Sequence, residues 1–397
     1  MSPDATPCPK THRHQAIAFT FPHLILIAGW LMVAAGWATE RTNCGLAVGL
    51  HGELLLNGKA FRGIGVNYYD AFVRLLGDGK LREVEAGFRV LASNRIPFVR
   101  FSAGGYWPVD WGLYQTNRAE YFARLDGIVK LAEHEGIGLI PSLFWHQPTI
   151  SDLVGEPVEQ WGNTASRTHA FMRTYVREVV TRYRDSPAIW AWEFGNEFNL
   201  AADLPNAAEH RAPVQPTLGT AATRSAQDDL THAQMRVALT AFAQETRKHD
   251  PHRLLFSGNA FPRPSAWHQQ HAGSWQRDAP EQWVAMLAAD NPSPMASLSG
   301  RLYSTNDLAA LAPALALAGR LGKPLFIGEF GTPGAMTEAT QREFLAGLEA
   351  LDTNGVALAA LWVFDFEGQA TDWNITATNA RQEQLRRIAL LNAHWRR

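Results

Sequence analysis

Eight apolar runs of strand length recur along this chain, and segments with helical periodicity separate them. The runs cover residues 62–67, 97–102, 138–145, 189–197, 254–258, 297–303, 325–329 and 357–364. They are continuous rather than alternating, which suits strands covered on the outside by helices. Between them Phe122, Leu125, Val129 and Ala132 repeat at helical spacing, as do Met172, Val176, Val180 and Tyr183. Leu385, Ile388 and Leu391 give a last helix its apolar stripe, and Thr340 with Glu343 is spaced as a capping box before Phe344, Leu348 and Leu351. Eight strand–helix units over about 340 residues predict an α/β fold, the (β/α)8 or TIM barrel. The rival architecture, an open doubly wound sheet, would need an edge strand, and no run reads as one. A short β-hairpin is expected ahead of the barrel, with strands at 53–56 and around Phe61 joined by the turn Asn57-Gly58. No linker or internal repeat interrupts residues 39–397, so they are expected to form one domain. The stretch 201–227, rich in Ala, Pro and Thr, follows the fourth run. It reads as an extended βα loop over the barrel mouth, or equally as an insertion with no role.

The first 38 residues read as something other than fold. A weakly basic start containing Lys10 and Arg13 leads into the apolar run 24–38, which ends on small residues and then turns polar at Thr39-Glu40-Arg41. That pattern predicts an export signal and a secreted or periplasmic protein. The alternative is an uncleaved anchor helix, but the run is short of the roughly 20 residues a span needs. Of two cysteines, Cys8 would leave with the signal and Cys44 would remain, so no intrachain disulfide is expected. The net charge of −2, from 36 basic and 38 acidic side chains, gives no footprint for nucleic acid. A membrane contact is expected only if the N-terminal segment stays in place.

In a barrel of this kind the chemistry sits at the C-terminal strand ends. Those ends carry Asn67, Tyr68 and Tyr69, then Arg100, Trp145, His146, Asn196, Glu197, Asn259, Tyr303, Glu329 and Trp362. Glu197 and Glu329 lie roughly 130 residues apart, so only a closed fold brings them together. Two facing carboxyl groups are what cleavage of a glycosidic bond requires. Glu193 is the rival to Glu197; lying deeper in its strand, it is expected to form a buried charge pair. Arg100 could be its partner, or hold Glu329, or both, because a guanidinium has five donors. Trp145 and Trp107 could stack on sugar rings or cap the core. His146 could bind substrate or be an ordinary loop histidine. Gly63-Ile64-Gly65 lacks the third glycine of a dinucleotide fingerprint, and there is no P-loop. His268 and His271 lack an evident third metal ligand.

Trp192-Glu193-x-x-Asn196-Glu197, with Gly328-Glu329-Phe330-Gly331 downstream, resembles the clan A glycoside hydrolases, and family 5 most of all. The resemblance runs from about His51 to the end and includes Leu56-Asn57-Gly58-Lys59 followed by Gly65-Val66-Asn67. It implies a retaining β-glycosidase in which Glu197 is the acid/base and Glu329 the nucleophile. Asn196 would hydrogen-bond the substrate 2-hydroxyl and Arg100 would hold Glu329 ionised. Tyr303 would sit beside Glu329, and Trp362 would floor the subsite of the cleaved sugar. Asn67, Trp145, Trp107 and His146 complete the candidate substrate-binding set. A retaining enzyme needs the carboxyl groups about 5–5.5 Å apart. The implied substrate is a β-linked polysaccharide or oligosaccharide, β-mannan or β-1,4-glucan first, with no metal or organic cofactor. A transglycosylase, or an inactive barrel that binds glycans, is the alternative. One position departs from the family: a histidine is common two residues before the sixth-strand tyrosine, and here Arg301 precedes Leu302-Tyr303.

Overall fold

The computed structural model describes residues 44–77 and 81–396. Three short strands come first: β1 (Leu46–Val48), β2 (Leu54–Leu56) and β3 (Lys59–Ala60), joined antiparallel in that order. The expected turn is present, with Asn57 at φ 52° and Gly58 at φ 78° between β2 and β3. The hairpin differs from expectation in two ways. Its second strand ends just before Phe61, and β1 adds a third strand that the sequence analysis did not foresee.

All eight expected barrel strands form, seven of them trimmed and β10 one residue longer than expected: β4 (Gly63–Asn67), β5 (Phe98–Ser102), β6 (Gly138–Phe144), β7 (Ala191–Gly195), β8 (Leu254–Phe256), β9 (Leu298–Leu302), β10 (Leu325–Phe330) and β11 (Leu358–Leu361). They pair in parallel in the order β8-β7-β6-β5-β4-β11-β10-β9, with helices between successive strands. This is the (β/α)8 barrel. Among the described residues no ladder joins β8 to β9. Side chains span that seam instead: Ser297 donates to the Leu255 carbonyl at 2.6 Å, and the Arg301 guanidinium reaches the Gly258 carbonyl, also at 2.6 Å.

The barrel interior is layered by strand alternation. Near the N-terminal end Phe98, Ile140, Phe256, Phe326 and Leu358 fill it with hydrocarbon, and Leu46 and Leu54 of the small sheet close that end. Two residues further along, the same faces turn polar. Phe98 is followed inward by Arg100, Ala191 by Glu193 and Gly65 by Asn67, and all three polar residues are buried. A polar layer therefore rests on a dry base.

One local expectation is corrected. The last-but-one helix, Glu338–Thr353, is capped by Thr337, whose side chain accepts from the Thr340 amide; Thr340 is not the cap. The segment 201–227 after β7 is a βα connection built of short 3-10 turns. Its Arg224 is paired with Asp152 at 2.6 Å and Arg211 with Asp229 at 2.6 Å. The expected N-terminal export segment lies outside the described residues. Among those described, no helix is long and apolar enough to cross a membrane.

Candidate active site

Glu193, the rival carboxylate, is fully buried and paired with Arg100 at 2.7 Å. Arg100 is equally buried and its five donors are spread widely. Nε bonds Glu193, Nη1 reaches Asn67 Oδ1 at 2.9 Å and Glu329 Oε1 at 2.8 Å, and Nη2 reaches Asn196 Oδ1 at 2.8 Å. Both readings of Arg100 hold together. Neither Arg100 nor Asn67 has surface to offer a ligand. Asn67 instead ties Arg100 to the Gly328 carbonyl at 3.0 Å, so both act as supports beneath the site rather than as substrate contacts. The Arg100 guanidinium lies 4.3 Å from the ring centroid of Trp145, which seals it from above.

Glu197 is aimed by a turn, not by strand alternation. The fourth-strand run was expected to extend through it, but β7 ends at Gly195. Glu197 then takes a left-handed conformation at φ 53°, with its amide bonded to the Gly258 carbonyl at 3.0 Å. A non-glycine residue held there costs of order 1–3 kcal/mol and marks an over-determined position. The strain swings the carboxyl group out over the polar layer, where it is 31% exposed while Glu329 is only 5% exposed.

Glu329 comes from β10, directly opposite Arg301 of β9 in register. Its Oε1 accepts from Arg100, and its Oε2 accepts from the Tyr303 hydroxyl at 2.7 Å. Burial and the adjacent Glu329 charge hold the Tyr303 phenol well above its ordinary range, so it stays a donor. Arg301 Nε lies 3.4 Å from Glu329 Oε1 and 3.8 Å from Glu197 Oε1. Those two oxygens are therefore no more than about 7.2 Å apart, which rules out the wide end of the inverting range.

The two carboxyl groups differ in their surroundings. Burial, then the charge of Glu329, push the Glu197 carboxyl up to about 7; Arg301, Arg100 and Arg263 oppose the rise. A carboxyl group raised into the neutral range carries a proton it can donate. The shift has a consequence for stability. Between pH 4.5 and about 7 the folded chain holds a proton that the unfolded chain has released, so Glu197 contributes stability at low pH that is lost as pH rises through about 7. Glu197→Gln is accordingly expected to raise Tm at pH 8, with the gain shrinking towards zero at pH 4. Thermal unfolding of both proteins at the two pH values checks this.

The groups face a cavity of about 740 Å³, within the size range of small-molecule sites. Among the described residues its walls include Glu197, Glu329, Asn196, Tyr303, Trp145, Trp107 and Trp362 of the expected set. Tyr69, Tyr106, Phe366 and Trp373, which the sequence analysis did not single out as binding residues, line it as well. Trp362 and Trp145 stack at 6.2 Å, and Tyr69 packs on Trp145 at 4.8 Å. The Trp362 indole donates to Gln369 at 2.8 Å, which fixes the plane of the ring. His146 sits behind this wall. It stacks on Tyr106 at 4.4 Å and bonds Thr149, and burial pushes its imidazole down to about 4, so it is a neutral support. Among the described residues, none of 201–227 or 262–281 lines the cavity, although the Arg263 charge acts on Glu197; the loops after β4, β5 and β11 shape it. His268 is held by Asp278 at 2.8 Å and His271 stacks on Trp267, so neither is posed as a metal ligand.

The cellulase model of glycosyl hydrolase family 5 matches residues 77–367. The chain is 35% identical over 94 residues to a probable mannan endo-1,4-beta-mannosidase F of Emericella nidulans, a stretch covering 22% of each protein. The chain thus spans about a fifth of the length of the curated relatives it matches. The fold is similar to an endo-1,4-beta-mannanase from Rhizomucor miehei (17% identity, TM-score 0.63, covering 88% of this chain and 99% of that one). It is also similar to an endo-1,4-beta-D-mannanase from Thermotoga petrophila (15%, TM-score 0.60, 83% and 100%). By the family match over most of its barrel, the chain belongs to glycosyl hydrolase family 5.

Proposed function

We propose that this chain is a retaining β-glycoside hydrolase that cleaves β-mannan by double displacement. The observation that carries the reading is the convergence of Glu197 and Glu329 on one aromatic-walled cavity, with a donor network on Glu329 and beside it a Glu197 carboxyl that burial and the Glu329 charge push up to about 7. In the first step Glu329 attacks the anomeric carbon as the glycosidic C–O bond breaks, and Glu197 gives its proton to the departing oxygen. In the second step a water, losing its proton to Glu197, attacks that carbon and frees Glu329. Asn196 Oδ1 is held by Arg100 and Arg301, both at 2.8 Å, which turns the Asn196 amide nitrogen toward the substrate 2-hydroxyl. The flat rings of Trp362 and Trp107, which are only half-buried, offer faces for sugar rings, with Trp145 packed behind Trp362.

Mannan is favoured over β-1,4-glucan because the matched curated relatives are mannan endo-1,4-beta-mannosidases. The glucan reading keeps support from a similar beta-glucanase fold from Saccharophagus degradans (14% identity, TM-score 0.54, covering 89% of this chain and 94% of that one). Export through the apolar run 24–38 belongs to the same proposal, which places the enzyme where polysaccharide is found. The test is incubation with mannan, glucan, xylan and galactan, with early products read by proton NMR. Mannan-derived oligosaccharides released first as the β anomer are expected. Initial α product, or no cleavage of any β-glycan, would contradict the proposal.

A further inference from the structure

The reaction moves a negative charge. Before it begins the charge is on Glu329 and the proton is on Glu197. In the glycosyl-enzyme Glu329 is a neutral ester and Glu197 is the anion. Arg100 cannot follow that movement, because its donors are committed to Glu329, Glu193, Asn67 and Asn196. Arg301 can. Its Nε is buried, has no hydrogen-bond partner among the described residues, and lies between the two carboxyl groups at 3.4 and 3.8 Å. The rest of the guanidinium is anchored: Nη2 bonds Asn196 Oδ1 and the Gly258 carbonyl, and Nη1 bonds the Gly300 carbonyl at 3.1 Å. Gly328, beside Glu329 on β10, leaves the room this requires; a Cβ there would lie 2.3 Å from Arg301 Nη1.

We propose that Arg301 is a positioning residue for the second half of the reaction, its Nε–H pairing with Glu197 once Glu329 has been esterified and so keeping Glu197 ionised as the base that activates water. The inference rests on the two-glutamate reading and adds to it the residue that balances the charge. The charged and titratable groups facing Glu197 are Glu329 from β10, Arg301 from β9, Arg100 from β5 with its partner Glu193 on β7, Tyr303 after β9 and Arg263 after β8. Of the three arginines, Arg301 is the one with an uncommitted buried donor beside both carboxyl groups. In the resting enzyme it already opposes the upward push on Glu197.

Arg301 also stitches the β8–β9 seam, so loss of activity alone would not separate the two roles. The test uses Arg301→Gln, Arg301→Met and Arg301→Lys with 2,4-dinitrophenyl β-mannobioside, whose leaving group needs no acid, so that the deglycosylation step limits kcat. In the neutral variants Glu197 should stay protonated to higher pH in the glycosyl-enzyme. The acid limb of kcat is expected to move up by about one pH unit or more. At pH 5.5 kcat should fall at least about tenfold while kcat/KM falls less, KM drops, and the burst of one dinitrophenolate per active site is followed by a correspondingly slower steady rate. Near pH 8 the deficit should shrink to about threefold or less. Arg301→Lys, which keeps a cation, should show a post-burst rate close to the parent's and a limb within about half a unit of it. Burst amplitude counts only folded sites, so a partly folded preparation is still readable. Equal falls in kcat and kcat/KM at all pH values without a burst would overturn the proposal, as would a Lys variant as shifted as the neutral ones. Failure of the two-glutamate reading is visible separately, as turnover surviving in Glu329→Ala.

Discussion

Glu329→Ala is expected to lose turnover of an activated aryl β-glycoside by about five orders of magnitude or more, with folding intact. The side chain is nearly buried but lies at the floor of an open cavity, so its removal leaves space that water or a small anion can enter. What disappears is the covalent route, and the reaction must then find another path to a barrier the enzyme had lowered by many kcal/mol. Arg100, Arg301 and Tyr303 remain, with donors aimed at the space the carboxylate occupied. That constellation should bind azide. Added azide is expected to restore part of the rate and to yield a glycosyl azide of inverted configuration, because one displacement replaces two. A variant that turns over normally, or one on which azide has no effect, would remove Glu329 from the nucleophile role.

Glu197→Ala is expected to divide substrates by their leaving groups. The assistance Glu197 gives is a proton, worth about 10²–10⁴ where the departing oxygen needs it. Natural oligosaccharides and aryl glycosides with poor leaving groups should lose that factor in kcat/KM. A dinitrophenyl glycoside should lose much less in kcat/KM, yet stall in kcat because no base remains for the second step. The pH profile should change in the same sense. In the parent protein Glu197 must be protonated to act first, and burial with the Glu329 charge pushes its carboxyl up to about 7, so kcat/KM for poor leaving groups should decline above that pH. The variant should lose that alkaline limb. Equal losses on good and poor leaving groups, or a limb that survives the substitution, would contradict the assignment.

The barrel was legible because its strands advertise themselves twice. Each is a continuous apolar run, and an amphipathic helix lies between each run and the next. The small sheet was only partly legible, since β1 and β3 are three and two residues long and carry too little pattern to detect. The glutamate pair was legible because Asn196-Glu197 and Gly328-Glu329 stand at strand ends. The geometry that aims Glu197 was not. The fourth run was expected to continue through Glu197, but the strand ends at Gly195 and a left-handed Glu197 beyond it sets the direction of the carboxyl group. Tyr106, Phe366 and Trp373 were passed over because they lie in loops several residues beyond strand ends, where an aromatic residue is as easily a core cap as a sugar platform. Their position in the βα segments after β5 and β11 was the available signal. Which of the two readings of 201–227 holds could not be read from loop length, which says nothing about which way a loop leans; the segment is tied by the ion pairs Arg224–Asp152 and Arg211–Asp229 and is not among the described residues lining the cavity. Arg301 was visible as a departure from the family pattern. Its reach to both carboxyl groups depends on the register of β9 with β10, which composition cannot supply.

The division of labour between the glutamates can be tested in one trapping experiment. A 2-deoxy-2-fluoro β-mannosyl fluoride should inactivate the protein by forming a covalent adduct whose breakdown is slow, and peptide mapping by mass spectrometry would locate it. The label is expected on the peptide containing Glu329, at one sugar per chain, with Glu197 and Glu193 unmodified. An adduct on either of those residues, or complete resistance to labelling in an enzyme that cleaves mannan, would contradict the account.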